Sequence, residues 1–202
     1  MSKSPLLWFV IFLVIIGAFT AIGPAEKTLG VNVRVVYLHG AWVWAALAAF
    51  VAAAVVGLLG LLTQRELLHQ WSRALGRTGL FFWITYIPIS MWAMQTNWNG
   101  LFLVEPRWRF AVVFAIGGLM MQLGITLIDD PKWASVANIL YLVVLFLTLN
   151  TTENVMHPPS PILNSDVSRI QLYFLGLFIL LLLAMWQAAR WWHQFEPSRV
   201  DS

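Results

Sequence analysis

Long runs of apolar residues, broken by short polar stretches, dominate the chain. Residues 5–23 are apolar or small, led in by Pro5-Leu6-Leu7-Trp8 and closed by Gly23-Pro24. This run exceeds the apolar core of about 7 to 15 residues of a cleavable signal peptide, so it reads as a first helix. Residues 25–40 are polar enough for a loop. A second helix is expected over 41–63, where Ala45, Ala49, Ala53 and Gly57 recur every fourth position and offer a face for close helix packing. Residues 64–78, with Arg65, Glu66, His69, Arg73 and Arg77, read as a basic connection. Further helices are expected over 79–98, with a kink at Pro88, and over 110–128, 133–149 and 168–192. The turn Asp129-Asp130-Pro131-Lys132 separates the fourth and fifth. Pro158, Pro159 and Pro161 keep the stretch before the sixth out of regular helix.

Composition turns these runs into membrane spans. Of 202 residues, 60% are hydrophobic and 10% charged, and the mean hydropathy is +0.76. Soluble domains carry about 25% charged residues. A span needs about 20 apolar residues, so the pattern predicts an all-α polytopic membrane protein: a single six-transmembrane-helix bundle occupying the whole chain. With no cysteine, disulfides, thiolate metal sites and covalent haem attachment through a CxxCH motif are excluded. The net charge of +3 is spread over several connections, with no block suited to nucleic acid.

Charge also orients the bundle. Lys3, Arg65, Arg73, Arg77, Lys132, Arg190 and Arg199 fall on the side of the termini, and Lys27, Arg34, Arg107, Arg109 and Arg169 on the other. The excess predicts cytoplasmic termini. His39 and His157 then share the outer face, while His69 and His193 lie on the inner one.

The outer face concentrates chemistry. Arg34-Val35-Val36-Tyr37-Leu38-His39-Gly40-Ala41-Trp42-Val43-Trp44 combines a cation, a phenol, an imidazole and two indoles. Two histidines at one membrane depth can ligate a haem iron from opposite sides, or each can be an interfacial residue bonded to a headgroup or carbonyl. Copper and zinc are poorly served, since no HxH or HxxxH spacing supplies further ligands. Trp44, Trp98 and Phe102 are candidates for the flat apolar platform a porphyrin needs, and Arg34, Arg107 and Arg109 for pairing its propionates. An aromatic belt at the membrane interfaces accounts for tryptophans on both faces as well. Gln122, the main polar residue within a span, is expected to bond a neighbouring helix.

These residues resemble a family. Arg34 through His39, with Trp44 five residues on, looks like the first outer histidine motif of the CcmC-type haem-handling membrane proteins of cytochrome c assembly. Asn154-Val155-Met156-His157-Pro158-Pro159 resembles the second, where an Asn also precedes the histidine by three residues. Between them the family carries a tryptophan-rich WWD loop. Here Trp98 alone remains of its tryptophans, and Glu105-Pro106-Arg107 stands where the loop ends in an acid-x-base sequence. The resemblance implies haem b held non-covalently at the outer face by His39 and His157, with Arg34, Tyr37, Trp44, Trp98, Phe102, Glu105, Arg107, Arg109 and Asn154 around it. It further implies haem delivery rather than enzymatic turnover, multi-pass insertion in the inner (plasma) membrane with the site facing the periplasm or exterior, and lipid and protein partners. The short central loop limits hand-over of haem more than its binding. Two other functions stay open: a membrane cytochrome subunit exchanging electrons with quinone, and a cofactor-free structural subunit of a larger complex.

Overall fold

The computed structural model describes residues 4–128, 130–151, 162 and 165–196. Within them the chain forms six helices and no strand: α1 (Pro5–Ala21), α2 (Val33–Thr63), α3 (Glu66–Trp98), α4 (Pro106–Ile128), α5 (Pro131–Thr151) and α6 (Ser168–His193). Four of them, α2, α4, α5 and α6, are long and apolar enough to cross a membrane. At 17 residues α1 is apolar but shorter. These helices fit an integral membrane protein.

The helix ends differ most from the sequence-based expectation around α2 and α3. Helix α2 starts at Val33, so Arg34 through Gly40, expected in a loop, form its first two turns. The connection expected over 64–78 shrinks to Gln64 and Arg65, because α3 already begins at Glu66 and runs 33 residues, through Pro88, to Trp98. Gln64 adopts the left-handed conformation (φ 56°) that ends α2, and Asn99 does the same (φ 53°) after α3. Local polarity concealed both extensions: a helix end rich in Arg and His looks like a loop unless a partner helix is there to bury it. Asp130 accepts a hydrogen bond from Lys132 N at 2.9 Å, and Pro131 opens α5 where a missing N–H costs nothing. Asp129 lies outside the described residues.

The α2–α3 hairpin is the centre of the bundle. Helix α6 packs on α1, α2 and α3, and α5 on α2, α3 and α4, while α4 rests on α3 and α5 alone. The small stripe anticipated on α2 lies inside: Ala45, Ala49 and Ala53 are fully buried. At Gly57 a side chain would meet Ser72 Oγ at 2.8 Å and the Ser135 backbone at 3.1 Å. Phe50 fills the space over Gly79 of α3. The interlocking depends on positions without side chains, which let backbones approach closely.

Candidate functional site

Helical geometry splits the histidine motif in two. At 100° per residue, His39 lies roughly 140° from both Arg34 and Trp44, and about 160° from Tyr37. Contacts follow those directions. The His39 ring sits 5.5 Å from that of Tyr86 on α3, and Trp42, on the same side, donates through Nε1 to Phe82 O (3.1 Å) and Thr85 Oγ1 (3.0 Å). The other side serves α1 and α6. Arg34 Nε donates to Gly23 O at 2.8 Å, Tyr37 is buried 5.4 Å from the Tyr173 ring, and Trp44 meets Phe178 edge-on at 6.0 Å. Arg34, Tyr37 and Trp44 are therefore not brought together with His39.

The central loop comes to the same end of the bundle. Asn32 Nδ2 donates to Thr96 O at 3.1 Å, which ties the start of α2 to the end of α3. Residues 101–104, Leu-Phe-Leu-Val, are all exposed, and Phe102 points outward with them. Glu105 is buried at the start of α4, where its carbonyl accepts from Arg109 N at 3.0 Å. Trp98, the last residue of α3, is half-buried. Two residues apart on α4, Arg107 and Arg109 diverge by roughly 200°. Arg107 is half-buried, whereas Arg109 is exposed, donates to Leu103 O at 3.4 Å and lines a hollow between α4 and α5. The structure thus brings His39 against Tyr86, with Glu105 and Arg107 at the same end of the bundle, and sets Arg109 on the other side of α4 from Arg107.

No family model, curated protein or solved structure matches the chain. The site must be judged on its geometry.

His157, Asn154 and Met156 lie outside the described residues. Ile162, five residues after His157 in the sequence, is described: a side chain on Gly40 would come within 3.6 Å of its Cδ1 and 3.4 Å of Phe174 Cε2. Among the described residues no three His, Cys, Asp or Glu side chains gather into a group able to hold a metal ion. For haem the fit is partial: a half-buried imidazole beside an aromatic ring suits it, while Arg34, Tyr37, Trp44 and Arg109 face elsewhere. Sequence reasoning missed Tyr86 and Ile162. A tyrosine two positions before a span proline was the only signal for the first, and nothing local marked the second.

The opposite end holds a more tightly made polar cluster. His69, expected in a loop, is fully buried in α3, with Nδ1 2.7 Å from Ser135 Oγ on α5. Ser72 Oγ donates to Ala53 O at 2.8 Å, and Asn138 Nδ2 donates to Ser72 O at 2.8 Å. Gly60 and Gly76 make room for His69 and Asn138. A serine–histidine pair of this length suits nucleophile activation, but both residues are fully buried, and with Ser72 and Asn138 they tie α2, α3 and α5 together. Beyond it, Glu196 pairs with Arg77 at 2.8 Å and Arg73 at 3.4 Å, and Trp71 stacks between Trp186 and His193 at 5.1 and 4.1 Å. Gln122 differs from expectation: neither amide atom has a hydrogen-bond partner among the described residues.

Proposed function

We propose that the chain is a six-span inner-membrane protein that holds haem b non-covalently at the His39 end of the bundle, in the manner of the haem-handling proteins of cytochrome c maturation. His39 and His157 are the iron ligands. Tyr86 flanks the first, and Arg107, at the same end of the bundle, would pair a propionate. Bound haem would supply an iron for two imidazoles and two carboxylates for a guanidinium. The basic excess at the opposite end argues for cytoplasmic termini and a periplasmic or exterior site.

The observation that carries this reading is the approach of Ile162 to Gly40. Five residues of chain reach at most about 18 Å, which lets His157 come to the His39 end of the bundle. An imidazole fixed on α2 and a second one in the sequence His157-Pro158-Pro159 would supply the two ligands of a six-coordinate iron.

A second reading, a cofactor-free structural subunit, is favoured by the engagement of Arg34, Tyr37 and Trp44 with α1, α6 and the loop between α1 and α2. An optical spectrum separates the two. Protein purified from haem-sufficient cells should show a Soret band that changes in His39→Ala and in His157→Ala but not in His69→Ala. Absence of the band, with no response to added haemin, would leave the structural subunit standing.

A further inference from the structure

The loose seam between α4 and α5 contains two adjoining hollows. The deeper, about 410 Å³, is lined by Gly117, Met121, Ala137, Leu140 and Val144. The other, about 580 Å³, opens among Arg109, Phe110, Thr148 and Thr151 at the His39 end. Val113 and Phe114 line both, so they form one continuous groove. Its deep half is wholly apolar in character, because the one hydroxyl there, on Tyr141, is donated to Phe114 O at 2.8 Å. Val113, Leu140 and Val144 are 64%, 60% and 52% exposed, which puts the groove on the outer surface of the bundle. At Gly117 a β-carbon would meet nothing within 4 Å, so the groove passes over a bare stretch of helix.

We infer that this groove binds one phospholipid with an anionic headgroup, its phosphate at Arg109 and an acyl chain along α4 and α5. Length and charge select this occupant. From Arg109 to Met121 is roughly 18 Å along the helix, close to the depth of one leaflet of a core about 30 Å thick. A chain starting at the interface would thus fill the groove to its floor. At the mouth, the one side-chain hydrogen bond of Arg109 among the described residues runs from Nε to Leu103 O, which leaves the two terminal nitrogens of the guanidinium to face a phosphate. This site is separate from the one proposed for haem and stands or falls without it.

Native mass spectrometry of the full chain, released from detergent containing equimolar phosphatidylglycerol and phosphatidylcholine, tests the assignment. One phosphatidylglycerol should be retained in preference. Arg109→Gln should cut that preference about fivefold, the effect of one cation near a lipid surface. Gly117→Leu, which has open space for its side chain, should reduce retention of both lipids while the thermal transition is kept. Equal retention of the two lipids by the wild type would overturn the proposal, as would unchanged retention in Gly117→Leu or preferential retention of a long-chain isoprenoid quinone.

Discussion

The two histidine-bearing ends of the α2–α3 hairpin teach opposite lessons about polar groups in an apolar bundle. Around His69 the helices close completely: the imidazole is 0% exposed, bonded to Ser135, and packed against Gly60. Around His39 they stay partly open, with a ring neighbour in Tyr86 and exposed apolar residues in the adjoining loop. The better-made polar cluster is the one with no access. Good hydrogen-bond geometry at full burial marks a structural fastening, and a ligand site needs the opposite, an imidazole left partly uncovered.

The comparison breaks most sharply at Gly57. Gly57→Leu drives a side chain into Ser72 and the α5 backbone, and overpacking of this kind costs about 3 kcal/mol or more. Loss of a monodisperse peak in gel filtration is expected. His69→Ala removes a buried ring and leaves Ser135 with a changed partner, for a loss of about 2–4 kcal/mol in a denaturation series with no effect on any haem spectrum. Retained stability would mean that the closed end does not fasten the bundle. Trp42→Leu should cost about 2–3 kcal/mol, since it empties a buried site and removes the Nε1 bonds to Phe82 O and Thr85 Oγ1. Trp44, 43% exposed, should tolerate the same change within about 1 kcal/mol. Equal losses at the two tryptophans would refute the division of the motif into two faces. The smallest stability effect is expected at His39→Ala, under about 1 kcal/mol, paired with the largest spectral change. If the thermal transition moves as far as in His69→Ala, His39 is a packing residue after all.

Legibility followed the range of the forces involved. The apolar runs reported α4, α5 and α6 to within a few residues at each end, because hydrophobic length alone decides them. The α2 stripe was equally readable, since spacing by four repeats on one helical face. The early starts of α2 and α3 were not. Arg34, His39, His69 and Arg73 look like loop residues when each is weighed singly, and only Tyr86, Ser135 and Glu196, all distant in sequence, make helical burial affordable. In the candidate site, Arg107 and Glu105 share an end of the bundle with His39, and Arg34, Tyr37, Trp44 and Arg109 turn elsewhere.

By itself the sequence determined that this is a helical membrane protein without thiol chemistry. Hydropathy and residue inventory suffice for that, being sums over the chain. Tertiary structure alone decided which side of a helix each motif residue faces and which histidine is sealed. Direction depends on where a helix begins, and where it begins depends on what lies beside it.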